Sequence, residues 1–290
     1  NLTLTTSAQP GQTATVTLDH ATAATGVTLT DLTTTNFATL NVVLGDSTAD
    51  YVLTDIDVST STDLVVSGGG DLTVTDYTSL KSFDASAVTG NVTFSAVLNS
   101  KQITTGSGTD SITINDADST TYNLNGGAGV DTLVFTAADN YSAGTLNLSN
   151  IERLDVSAST VTLAASQLTG KDYIIFSDGN TDTLAVNVTS GTREVVNLSD
   201  ISASLAVITV TGDNGADTIT GSSTYGMALV GGAGNDTITG GAGADTITGG
   251  AGADVINGGG GTDLFVYNTV DTSTATAMDA ISGFVTGESL

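Results

Sequence analysis

Residues 231–266 read GGAGNDTIT GGAGADTIT GGAGADVIN GGGGTDLFV. Each block of nine follows Gly-Gly-x-Gly-x-Asp-x-apolar-x, with Asp236, Asp245, Asp254 and Asp263 at the sixth place and Ile238, Ile247, Ile256 and Phe265 at the eighth. The glycines call for a turn in backbone conformations that a Cβ forbids. Such a turn aims carbonyl oxygens inward beside a short carboxylate. An all-oxygen cage of that kind suits a hard cation with roughly six to eight ligands, which points to Ca2+. The last three residues of each block form a short strand whose middle side chain faces in, so the apolar residues stack into a narrow core. A glycine-rich linker would not keep Ile and Asp in register.

The block resembles the RTX (repeats-in-toxin) parallel β-roll family, whose mark is this nonapeptide. The resemblance implies two nonapeptides per turn of a right-handed roll, with ions held between stacked turns, so that repeat n shares an ion with repeat n+2. It also implies the ligands: carbonyls of the second and fourth positions plus the Asp from one turn, and those of the first and third positions plus the Asp from the other. Carried onto this chain, one site is Gly232, Gly234 and Asp236 with Gly249, Ala251 and Asp254. A second is Gly241, Gly243 and Asp245 with Gly258, Gly260 and Asp263. Gly240 and Ala242 on the second nonapeptide, and Gly250 and Gly252 on the third, fill the remaining ligand positions.

Upstream, residues 212–220 (GDNGADTIT) keep Asp217 and Ile219 in register. This implies a site of Asp213, Gly215 and Asp217 with Gly231, Ala233 and Asp236. Residues 221–230 (GSSTYGMALV) are one residue too long and lack the Asp; they serve as the opposite side of that turn, and the half-site there stays open. Downstream, residues 264–287 resemble the segment that follows RTX rolls; Asp271 and Asp279 are either ligands of a terminal ion or ordinary turn residues.

The pattern recurs in residues 105–113 (TGSGTDSIT) and 126–134 (GGAGVDTLV), with inward Ile112 and Leu133. The resemblance pairs Gly106, Gly108 and Asp110 with Gly126, Ala128 and Asp131 around one ion, with Asp116 and Asp118 as secondary candidates on the opposite side.

Composition agrees with this reading. The chain has 31 Asp+Glu against 5 Lys+Arg and a formal net charge of −26. Only Glu152, Glu194 and Glu288 are Glu; the rest are Asp, which favours turns over helix interiors. Thr, Val, Ile, Gly, Asn and Ser suit strands joined by tight turns. Nucleic acid and anionic membrane would be repelled, and the self-repulsion needs a neutralising cation. The chain has no Cys, so disulfides and thiolate sites are excluded. No apolar run is long enough to insert in a membrane. The ends at Asn1 and Leu290 read as cut, so a fragment of a longer protein is expected.

A fainter repeat links FATLNVVL (37–44), LKSFDASA (80–87), IERLDVSA (151–158) and TREVVNLSD (192–200), anchored by Leu40, Phe83, Leu154 and Val196. The first and last intervals are roughly 42 residues, and the middle one is longer by about the length of the 105–134 roll. The expected fold is therefore all-β: a β-solenoid-like scaffold with parallel β-roll segments. Its expected parts are scaffold units in 1–104, a short roll inserted at 105–134, more scaffold in 135–210, the main roll at 211–266 and the start of a capping segment at 267–290. A β-sandwich with convergent strands is the alternative.

Residues 81–90 and 150–157 look like segments of the calcium-dependent crystalline surface-layer proteins of Gram-negative bacteria. That resemblance implies a secreted, cell-surface structural protein in which several Ca2+ ions drive folding and lattice self-assembly. It further implies type I secretion and leaves room for a polysaccharide anchor in regions outside this chain. The competing reading is a calcium-stiffened stalk or binding module of a large RTX adhesin.

No enzyme is expected. His20 is the only histidine, and His-Glu-x-x-His, Gly-x-Ser-x-Gly, P-loop and dinucleotide fingerprints are absent. A carboxylate-only mechanism is the one chemistry an Asp-rich chain leaves open.

Overall fold

The computed structural model describes residues 2–5, 11–19, 26–35, 37–45, 47–58, 62–75, 77–78, 80–95, 102–114, 121–136, 139–142, 145–156, 160–168, 174–176, 183–188, 195–198, 202–203, 207–267 and 278–283. Within these the chain is nearly all β. The strand pairs are parallel, and the one helix, Ala165–Leu168, is four residues long. Parallel neighbours need a long return path. Here that path is the rest of each coil, so the chain winds as a β-solenoid and not as a sandwich.

The chain divides into two compact units, Asn1–Thr136 with Gly144–Leu154, and Ala137–Ala143 with Asp155–Leu290. In the first unit, strands Phe37–Leu44, Asp63–Gly68, Ser82–Val88, Gln102–Thr104, Thr121–Asn125 and Thr145–Ser149 stack in one sheet. Register puts Leu40, Leu64, Phe83, Ile103, Leu124 and Leu148 in a single column. A second column runs Leu29, Leu53, Val74, Phe94, Ile112, Leu133. The rings of Phe83 and Phe94 meet with centroids 4.6 Å apart, so the two faces of a coil close on each other directly.

These columns correct the expected repeat length. Leu40 and Phe83 are two coils apart, with Leu64 between them, so the repeating unit is half the expected length. The 105–134 roll belongs to the same stack: its strand Thr121–Asn125 pairs with Gln102–Thr104, which pairs in turn with Ser82–Val88. Leu154 and Val196 lie in other sheets than Leu40 and Phe83, so the four anchors of the faint repeat do not mark one column.

The second unit repeats the plan. One column is Leu163, Val186, Val210, Leu229, Ile247, Phe265, and the other is Val196, Ile219, Ile238, Ile256, Ile281. The nonapeptides therefore continue the preceding scaffold strands in the same sheets. Residues 221–230 supply a full half-coil, because Ala228–Ala233 pairs with both Val207–Thr211 and Thr246–Ala251.

The core is a thin stack of one or two apolar residues per strand. Ile219, Ile238 and Leu229 are fully buried, and Ile247, Ile256 and Phe265 are nearly so. Such a core leaves the corners, where polar groups crowd, to be held by other means.

Candidate metal centre

At the coil corners the glycine positions meet a hard steric limit. Gly250 and Gly252 have φ of 108° and 142°. A Cβ there would lie 2.0 and 1.6 Å from the carbonyl oxygens of Gly232 and Gly234 on the turn below. The second and fourth carbonyls of one turn thus point straight at the next turn, and only glycine leaves them room.

The aspartates form a ladder along the stack. The N–H of Asp236 donates to Oδ1 of Asp254 (2.8 Å), and that of Asp254 to Oδ1 of Asp279 (2.9 Å). On the opposite corner, Met227 N–H donates to Asp245 Oδ1 (2.7 Å) and Asp245 N–H to Asp263 Oδ1 (2.9 Å). In the first unit Val92 N–H donates to Asp110 Oδ1, Asp110 N–H to Asp131 Oδ1, and Asp131 N–H to Glu152 Oε2, at 2.7, 2.8 and 2.8 Å. One oxygen of each carboxylate is spent on the preceding turn.

The second oxygen is the informative one. Asp131, Asp236 and Asp245 are each only 1 % exposed, and their Oδ2 atoms accept no hydrogen bond. A buried carboxylate oxygen without a donor is costly. Burial, with neighbouring carboxylates adding to it, pushes all three carboxyl groups up to about 6. Burial also raises Asp110, but its Oδ2 accepts the Gly106 N–H at 3.1 Å.

The orphaned oxygens share their position with main-chain oxygens. A Cβ on Gly231 would sit 2.4 Å from Gly249 O and 2.5 Å from Asp236 Oδ2. On Gly240 it would sit 2.3 Å from Gly258 O and 2.4 Å from Asp245 Oδ2. On Gly212 the neighbours are Gly231 O at 1.8 Å and Asp217 Oδ2 at 3.1 Å. Oxygens converging in this way fit a hard cation, which would neutralise the buried carboxylate charge. Among the described residues no group of three or more His, Asp or Glu could hold a metal by side chains alone. The donor set is thus dominated by carbonyls, which suits Ca2+ and serves transition metals poorly.

The structure brings together the following sequence-predicted residues. Gly232 and Ala233 stand against Gly250 and Ala251, and Gly241 against Gly259, which is the n, n+2 register. Asp213 O accepts the N–H of Ala233 at 2.7 Å. With Asp213 O, four more predicted carbonyls already accept a hydrogen bond: Gly106 O from Ala128 N–H at 2.8 Å, Gly241 O from Gly260 N–H at 2.8 Å, Ala251 O from Gly234 N–H at 2.7 Å, and Gly126 O from the Thr105 hydroxyl at 2.6 Å. Asp279 follows Asp217, Asp236 and Asp254 as the fourth aspartate of the ladder on that corner. Asp116, Asp118, Asp271 and His20 lie outside the described residues. Sequence reasoning passed over Asn150 and Glu152. The signal was present in the equal 21-residue steps from Asp110 to Asp131 to Glu152.

Residues 209–223 and 230–265 match the family model of the RTX calcium-binding nonapeptide repeat, in four copies. No curated protein and no solved structure matches the chain. The matched repeats form a parallel β-roll and bind Ca2+.

Proposed function

We propose that this chain is a calcium-dependent structural protein of a secreted bacterial surface layer, in which Ca2+ drives both folding and lattice assembly. The observation that carries the calcium part is the set of buried Asp236, Asp245 and Asp131 Oδ2 atoms with no donor, each set beside a main-chain carbonyl.

Four sites follow on this reading. Gly232, Gly234 and Asp236 hold one ion with Gly249, Ala251 and Asp254. Gly241, Gly243 and Asp245 hold a second with Gly258, Gly260 and Asp263. Asp213, Gly215 and Asp217 hold a third with Gly231, Ala233 and Asp236. Gly106, Gly108 and Asp110 hold a fourth with Gly126, Ala128 and Asp131. When bound, Ca2+ supplies the positive charge and the many-oxygen coordination that these corners demand. The protein's own part is to preorganise the carbonyls through positive-φ glycines and to lock each carboxylate through one oxygen.

The surface-layer part rests on charge and on strand composition. A chain with net charge −26 repels its copies until divalent ions screen or bridge them. A solenoid edge also offers unpaired backbone to a neighbour. The stretches 81–90 and 150–157 resemble surface-layer segments, as does the Thr- and Ala-rich, Cys-free composition of the chain. The protein acts by binding and assembly and not by catalysis. Among the described residues no helix is long and apolar enough to cross a membrane.

Sedimentation of the purified chain with and without millimolar calcium, followed by low-resolution imaging, tests the reading. Two-dimensional sheets in calcium are the expected outcome. Isolated rods in calcium would instead fit the stalk of an RTX adhesin.

A further inference from the structure

In the first unit the orphaned Asp131 oxygen does not face the Asp110 turn, with which the nonapeptide pattern pairs it. It faces the next turn along, which carries no nonapeptide. Between strands Thr121–Asn125 and Thr145–Ser149 the register sets Asn125 opposite Ser149, so Gly126 stands against Asn150. A Cβ on Gly126 would lie 2.1 Å from Asn150 O and 2.5 Å from Asp131 Oδ2, so both oxygens converge on one point. This is the arrangement of Gly249 O and Asp236 Oδ2 beside Gly231.

Two further features mark the turn as built for this. Asn150 has φ of 50°, the one positive-φ residue other than glycine among those described. Asn tolerates that conformation better than most residues, but it still costs energy. The conformation is pinned by the Asn150 side-chain amide, which donates to Asn125 Oδ1 at 2.8 Å. Glu152 then stands where a nonapeptide has Asp: its Oε2 accepts the Asp131 N–H at 2.8 Å, while its own N–H and that of Arg153 donate to Asp131 O at 3.1 and 3.0 Å. The corner runs from Asn150 to Glu152 and is shorter than the six-residue nonapeptide turn. The longer Glu side chain makes up the reach that the shorter backbone loses.

We infer that Asp131, Asn150 and Glu152 form a further divalent-cation site, with Asp131 Oδ2, the Asn150 carbonyl and the Glu152 carboxylate as ligands. The column of ions in the first unit therefore continues onto a turn that carries no nonapeptide, and Asp131 serves both its neighbours. This rests on the calcium reading proposed above, and it adds a ligand set of different sequence.

The test is a count of bound ions by native mass spectrometry on the whole chain at saturating calcium. Three proteins are compared: wild type, Glu152→Gln and Asp57→Asn, the last removing the same charge from an exposed strand position. Glu152→Gln keeps an oxygen to accept the Asp131 N–H and removes only the charge. It should bind one ion fewer than wild type, and Asp57→Asn should lose none. Equal counts in wild type and a folded Glu152→Gln overturn this site and leave the proposed function standing. A wild type that binds no calcium overturns both. Should circular dichroism show that Glu152→Gln does not fold, Glu152→Asp decides. It holds the charge one methylene back, so calcium titration should show one site weakened about tenfold or more, and an unchanged titration overturns the site.

Discussion

The main-chain N–H of Asp217 donates to Oδ1 of Asp236 across 19 residues, at 2.8 Å. The same bond recurs from Asp236 to Asp254, and from Asp110 to Asp131 in the first unit. It splits the work of each carboxylate. One oxygen fixes the spacing of two coils through protein alone, and the other is left facing a carbonyl that repels it. The corner is complete in geometry and incomplete in charge, and each prediction below tests a consequence of that state.

Asp236 lies between Asp217 on one side and Asp254 on the other, whereas Asp263 is paired with Asp245. Asp236→Ala should therefore remove a carboxylate from two cages and Asp263→Ala from one. Native mass spectrometry is expected to show losses of two ions and one ion. Equal losses would mean that the n, n+2 sharing is wrong even with calcium bound.

Removal of calcium should unfold the nonapeptide roll. With chelator in excess the buried carboxylates repel one another, and the glycine turns gain much chain entropy on melting. At millimolar calcium, binding free energy becomes folding free energy. Circular dichroism should lose β signal in chelator and regain it in calcium. Magnesium should restore little of it, because it prefers a smaller octahedral shell and keeps its waters.

Acid should act in opposite directions on the two states. Asp131, Asp236 and Asp245 have carboxyl groups pushed up to about 6 from 3.8, chiefly by burial. In the metal-free chain the folded state then binds protons more tightly than the unfolded state. Its stability falls as pH rises from about 4 to about 6 and stays low above that. In chelator, β content should therefore be higher at pH 5 than at pH 7.5. Calcium competes with the same protons, so its apparent affinity should drop as pH falls through about 6. A calcium titration at the two pH values checks the second half.

Ile238 is fully buried between Ile219 and Ile256, whereas Val255 on the neighbouring strand is 52 % exposed. Ile238→Ala should cost about 2–5 kcal/mol in the calcium-loaded state, as expected for a large-to-small change in a core. Val255→Ala should cost less than about 1 kcal/mol. Gly252→Ala should be severe for a different reason, since its Cβ would overlap Gly234 O. Thermal melts of the three variants in calcium separate packing from turn geometry.

The nonapeptide corners were legible in the sequence because everything they need is local. Gly232 and Gly234 are glycines for steric reasons within one turn, Asp236 follows at a fixed distance, and Ile238 is two residues further on an inward-facing strand position. Four equal periods then set the stacking without reference to anything else. Outside the roll the period drifts, and the sequence showed Leu40 and Phe83 but hid Leu64 between them.

What only the tertiary structure decided is which turn meets which. Asn150 offers a main-chain carbonyl, an atom that every residue has and no motif records. Glu152 becomes an equivalent of Asp131 only because the strands before it, Thr121–Asn125 and Thr145–Ser149, lock the coils in register. Side-chain ligands repeat in sequence because each turn needs its own. Backbone ligands are positioned by the sheet, and the sheet is the sum of hydrogen bonds between residues some 20 positions apart.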